Sequence, residues 1–308
     1  MNYFIGISAA FGTLLCWTIG TFAFTQAAKN EVPLIVNRVR LLFAWIVLSI
    51  ICLFTGIHLF NLFQVPEQFL WLAISGIVGL TIGDYFAFNA FKEIGSSKAS
   101  LFSTFAPAAA LLFGMVILGE QINEIGLFGM SVSLSGITWF VWANGKKSKG
   151  KQEHEWKGIL FAILGAVCQG VGLVLAKRGM NISPISPIEA TWMRMLAAAG
   201  ITYLIGAFRT NVFKELQSVF KNTKALYPML VGTAFGPVAG VSFSLLAAQN
   251  LEVSLAQTIF SLLPLSVIAF ATLSGRETVS RISIFAAIIS ILGVVILVWR
   301  DDIMNTLF

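Results

Sequence analysis

One carboxylate and two arginines stand inside otherwise apolar segments, and they are the residues best placed to do chemistry. Asp84 lies in GLTIGDYFAFNAF, well away from the nearest loop. A carboxylate in hydrocarbon costs about 2.5–3.5 kcal/mol on insertion scales, so it must face a cavity, a cation or a ligand. Such a group suits binding of a substrate amine or carriage of a coupling proton. The competing role is a structural ion pair with Arg40 or Arg38. Arg40 and Arg194 occupy matching contexts, each seven residues after a proline, Pro33 and Pro187. Either they snorkel to the headgroups, or they hold an anionic group with a planar guanidinium fork. Arg38, nearer the segment edge, is expected to snorkel.

Other polar residues extend this constellation. Asp84, Tyr85 and Asn89 fall at near-helical spacing and suggest one inward face. Trp17 and Gln169 are equivalent by position, beside Cys16 and Cys168. Trp192 and Gln257 are further candidates, although Trp17 and Trp192 also suit ordinary packing. Pro107 and Pro264 lack a backbone N–H and break a helical ladder. Interrupted helices at corresponding places in two halves point to a transport site, and a plain kink is the alternative. The two histidines, His58 and His154, fall in loops, and neither H-E-x-x-H nor G-x-S-x-G occurs, which disfavours an intramembrane enzyme. No Walker-type loop is present, so ATP is not the direct driver. No metal or cofactor is expected.

The elements that carry these residues are transmembrane helices. The chain is 57% hydrophobic and 11% charged, against about 25% charged in soluble domains. Segments 4–26, 34–56, 69–91, 99–118, 125–143, 158–177, 188–208, 226–248, 253–273 and 282–299 are mainly apolar. Each approaches the ~20 residues of a membrane-spanning helix. They lack the strict alternation of an outer-membrane barrel. The first is expected to be retained, not cleaved as a signal peptide. Cys16, Cys52 and Cys168 fall inside spans and suit packing, not a disulfide framework. The net charge of +6 sits in short loops, which topology explains without nucleic acid.

The chain is also written twice. Pro107 and Pro264, Glu120 and Glu277, Gly136 and Gly293, and Trp142 and Trp299 are each 157 residues apart, and 83–142 aligns with 240–299 without a gap. The polar stretch 144–157 divides a first repeat, 1–143, from a second, 158–308. Five spans per copy is odd, so the copies must enter the membrane from opposite sides as inverted repeats. A short interfacial helix is expected around Val212–Phe220. Lys29, Lys92, Lys98, the lysines between 146 and 157, Arg209, Lys214, Lys221, Lys224, Arg276 and Arg281 all fall on one side. Only Lys177, Arg178 and Arg300 fall on the other. The positive-inside rule therefore places 144–157 and 209–225 in the cytoplasm and both termini outside.

The stretches AFKEIGSSKASLFSTFAPAAALLFGMVILGEQINEIGLFGMSVSLSGI (90–137) and AAQNLEVSLAQTIFSLLPLSVIAFATLSGRETVSRISIFAAIISILGV (247–294) resemble the EamA-type, ten-helix members of the drug/metabolite transporter superfamily. The family pattern is a small residue and Gly before helix 4, proline within it, Gly-Glu at its end, and Gly in helix 5. The second copy departs from it, with Glu252 and Arg276 where the first has Gly95 and Gly119. The resemblance implies an all-α integral membrane protein of ten helices in two inverted five-helix repeats. It implies a secondary transporter exporting a small organic metabolite such as an amino acid, with protons as a candidate coupling ion. A bacterial inner membrane location and a monomer or homodimer fit that picture. A lipid or lipid-carrier flippase of the same fold is the alternative. The family's better-known exporters place both termini in the cytoplasm, opposite to the charge count.

Overall fold

The structure is a computed structural model that describes residues 2–28, 30–57, 63–145, 155–209, 211–273 and 281–307. Among the described residues there is no strand. The first half runs α1 (Tyr3–Ala28), α2 (Pro33–Phe54), α3 (Pro66–Gly76), a π-helical stretch Ile77–Ile82, α4 (Gly83–Leu101), a 3-10 turn Phe102–Thr104, α5 (Phe105–Leu118) and α6 (Glu124–Gly145). The second runs α7 (Glu155–Met180), α8 (Pro187–Arg209), α9 (Val212–Lys221) and α10 (Thr223–Thr233). It continues through a π-helical stretch Ala234–Gly240, α11 (Val241–Asn250), α12 (Val253–Phe260), α13 (Leu263–Leu273), α14 (Arg281–Val298) and α15 (Arg300–Leu307).

Among the described residues, eight helical runs are long and apolar enough to cross a membrane. The apolar run Phe102–Leu118 is shorter, and α8 spans 23 residues while carrying Glu189 and Arg194. Together they make an all-α membrane protein of two five-span repeats. In hydrocarbon a helix satisfies its own backbone groups, which is why apolar stretches of this length resolve as helices.

The ends of the chain share one end of the bundle. The Tyr3 hydroxyl donates to Glu252 at 3.4 Å and Arg300 binds the same carboxylate at 2.7 Å. The Asn2 backbone N–H donates to Asn250 at 3.0 Å. An even number of crossings requires this.

The two halves thread into each other. α1 packs mainly on α10, the second π-helical stretch and α11, while α7 packs on α3, the first π-helical stretch and α4. Glycines permit both crossings. A methyl group on Gly20 would stand 3.3 Å from Gly236 Cα, and one on Gly172 would stand 2.9 Å from Gly79 Cα. α6 and α14 close the outside of the bundle, with Gly129 against the Leu297 backbone. The main apolar core, including Leu14, Leu48, Leu72, Ile137, Met193, Leu245 and Leu297, runs through both halves.

The structure departs from two expectations and bears out a third. The presumed connection 92–98 between spans 3 and 4 is helical, inside α4. Ile94 and Ala99 are buried with Ala90 and Ala162, so packing on α7 carries the helix onward. Arg38 does not snorkel: it is 4% exposed and paired with Glu215 of α9. The short helix expected around Val212–Phe220 exists as α9, begun by Asn211, whose side chain accepts from the Lys214 N–H at 3.1 Å. Glu277, Arg276, His58, His154 and most of 144–157 lie outside the described residues.

Candidate functional site

The local sequence sets the depth of each charged group. α8 opens with a capping box: the Ser186 N–H donates to Glu189 at 2.8 Å, and the Glu189 N–H donates to the Ser186 hydroxyl at 3.3 Å. Pro187 takes the first helical position, where its missing N–H costs nothing. Arg194 comes two turns in. α2 likewise starts at Pro33, which puts Arg40 two turns in from its own end. The third span packs along α8 and touches α2 at its far half, α4 (Gly83–Leu101). Its π-helical turns accommodate an extra residue per turn and so re-aim the helix beyond them. That helix, α4, begins with Gly83 and Asp84.

These elements converge on one buried cluster. Arg40 donates to Asp84, and its Nε donates to Asn37 at 2.8 Å. Its guanidinium lies over the rings of Phe24 at 5.2 Å and Phe88 at 5.8 Å, a cation–π sandwich. The ion pair with Arg40, the competing structural role for Asp84, is therefore present. Arg194 reaches the same acid through its field. Asp84 is 7% exposed and Arg194 4%. Gly79 makes room for the second guanidinium: a methyl group there would stand 3.3 Å from Arg194 Nη2. Close by, the Thr81 hydroxyl contacts the Ala198 carbonyl at 3.2 Å and Thr202 at 3.3 Å. The repeat counterpart of Asp84, Val241, is buried in the apolar core, so one half alone carries the acid.

The remaining candidates scatter around this cluster. Trp17 packs on Phe260 edge-on at 5.2 Å and covers Gly240, the counterpart of Gly83. The Gln257 amide donates to the Gln169 carbonyl at 3.2 Å, joining α12 to α7. Trp192 donates to the Ser49 hydroxyl at 2.7 Å and packs against Trp45 and edge-on against Phe63, tying α8 to α2. Tyr85 and Asn89 do not share the buried face of Asp84. Tyr85 is half-exposed and its carbonyl accepts from the Asn89 amide at 2.7 Å, because adjacent helical residues point about 100° apart. Pro107 and Pro264 each stand in the first turn of a new helix, after the 3-10 turn and after Ser261–Leu262 respectively. The breaks precede the prolines, where a missing N–H is tolerated.

Two features escaped sequence reasoning. The first is the pair of π-helical stretches, Ile77–Ile82 and Ala234–Gly240, which occupy corresponding places in the two halves. The second is a polar clasp at the end of the bundle that holds the termini. Lys177 pairs with Glu120 at 2.7 Å and donates to the Leu251 carbonyl at 2.6 Å. The other Glu120 oxygen accepts from the Val253 N–H at 2.9 Å. These contacts fix the corner between α11 and α12 and bridge the two repeats. Two open surface hollows, one on α6 at Leu134–Trp142 and one beside Trp299 and Thr306, lie away from the buried cluster.

Comparison with curated proteins gives no match. A solved structure described only as "Crystal structure of protein" superposes with a TM-score of 0.75 at 19% identity, over 95% of this chain and 96% of that one. At that identity the likeness concerns the fold. The sequence model of the EamA-like transporter family matches residues 4–142 and again residues 156–299. With one match in each half, the chain belongs to the EamA-like transporter family and is a membrane transporter.

Proposed function

We propose that the protein is a secondary transporter that exports a small organic metabolite, such as an amino acid, by alternating access. The two repeats, 1–143 and 158–308, joined by 144–157, move against each other with α1 carried by the second and α7 by the first, and a bacterial inner membrane is the setting. The observation that carries this reading is the buried Asp84–Arg40–Arg194 cluster. It lies where the first π-helical stretch of one half meets α7 and α8 of the other. Charges held at such depth are costly and mark substrate or ion pathways. Irregular helices at matching places in two repeats are where transporter sites form. Protons are the proposed coupling ion, with Asp84 as the acid exposed to them when the halves part. The site itself is proposed to include Asp84, Arg40 and Arg194, with Trp17 on α1, Gln169 on α7 and Gln257 on α12, and with Pro107 and Pro264 shaping its walls. The test begins with a thermal-shift screen of metabolites on the purified chain, since a ligand stabilises the state it binds. Each hit is then followed in proteoliposomes under an imposed pH gradient. Flux that exceeds protein-free vesicles and responds to the gradient supports the reading; hits that never cross the bilayer refute it.

A further inference from the structure

Among the described residues, every strongly buried cation but one has a carboxylate of its own. Among the described residues with charged side chains classed as buried, Arg38 pairs with Glu215, Lys177 with Glu120 and Arg300 with Glu252. Arg194 is as deeply buried, at 4% exposure, yet it makes no ion pair or side-chain hydrogen bond among the described residues, and its Nε has no partner. The acid within its field, Asp84, is already bonded to Arg40. Two guanidinium groups and one carboxylate leave this part of the membrane interior with one uncompensated positive charge. An unpaired buried charge is strongly unfavourable, and the chain nevertheless spends Gly79 on giving this guanidinium room.

We infer that Arg194 is the docking point for the carboxylate of a net monoanionic substrate, while Asp84 and Arg40 form the neutral wall beside it. This rests on the transporter reading and narrows it to organic monoanions, which among amino acids leaves only the acidic ones. A single carboxylate cancels the single excess charge and matches the guanidinium fork in two parallel hydrogen bonds. A phosphate monoester would bring about two negative charges, and a zwitterion would leave the excess unchanged.

The experiment measures thermal shifts of the purified full chain with propionate, isocaproate, pyruvate, benzoate, phenylacetate and salicylate. Each is set beside its neutral carboxamide, and leucine and leucinamide serve as zwitterion and cation. At least one acid should stabilise the protein where its amide does not. Arg194→Gln should abolish that shift. Arg194→Lys keeps the charge, and therefore membrane insertion, but loses the fork, so the apparent affinity should fall about tenfold. The inference is overturned if no acid of the set acts, if amides or leucinamide act as strongly as the acids, or if the acid shift survives in both variants. Vesicle flux separates the two levels: transport of amides or cations leaves the transporter and removes the carboxylate site. Acid binding without any flux does the reverse.

Discussion

Asp84→Asn is the sharpest single perturbation of the cluster. It deletes the carboxylate that Arg40 binds and whose charge Arg194 feels, leaving two guanidinium groups around a neutral amide. Removing one partner of a buried pair typically costs about 3–5 kcal/mol, because the other charge stays desolvated. The two side chains here retain 16% and 10% exposure, so the lower part of that range, about 3 kcal/mol, is expected. Arg40→Gln should cost only about half as much. Asp84 then keeps Arg194 within its field, and the cluster becomes neutral. The double variant should recover part of the Asp84→Asn loss, giving a coupling of about 2 kcal/mol. Equilibrium unfolding in mixed micelles, followed by the fluorescence of the chain's 8 tryptophans, measures all three. The reasoning fails if Asp84→Asn is as stable as the parent, or if Arg40→Gln is the more damaging of the two.

Further predictions concern the scaffold and its orientation. Gly172→Ala drives a methyl group to 2.9 Å from Gly79 Cα and should destabilise by about 1–3 kcal/mol. Gly200→Ala, which meets nothing within 4 Å, should be neutral or gain about 0.5–1 kcal/mol in the same assay. Glu120→Gln strips the charge partner of Lys177 and should loosen the α11–α12 corner. Faster amide exchange at Leu251–Val253 would register this, and unchanged exchange would dismiss the clasp as an anchor. In a background lacking Cys16, Cys52 and Cys168, a cysteine at Ser218 should resist an impermeant thiol reagent in intact cells while one at Asp302 reacts. The opposite pattern inverts the topology.

Helix type, repeat and depth are legible in the sequence because they depend on composition and spacing. Pro33 and Pro187 start helices at matching places, so Arg40 and Arg194 are recognisable as a pair before any packing is known. Asp84 stands out because a lone acid in an apolar run has few excuses. The short helix at Val212–Phe220 is legible from its mixed polarity. The π-helical stretches are not, since IVGLTI and AFGPVAG carry no composition that distinguishes an i→i+5 from an i→i+4 bond; the choice is made by what packs against them. The helical course of 92–98 is hidden for the same reason, as Ile94 is held by a residue in the other half, Ala162. Lys177 and Glu120 are far apart in sequence, and only the corner at Leu251 brings them together. Arg38 reads as a snorkelling residue because its partner, Glu215, belongs to a loop helix whose docking no periodicity encodes.

The exchange of α1 and α7 between halves imposes an order on synthesis. α1 ends at Ala28, and the helix it rests on, α10, begins at Thr223; 195 residues (223 − 28) must be made in between. At about 5–20 residues per second that is roughly 10–40 s. Throughout this interval the face of α1 that will meet Gly232 and Gly236 is turned to lipid or to a transient neighbour. α7 suffers no such delay, because α3 and α4 already wait for it. The nascent chain thus completes the crossing that houses Asp84 first, and its mirror image last. A chain released after residue 209 would carry every residue of the charged cluster and leave α1 without a home.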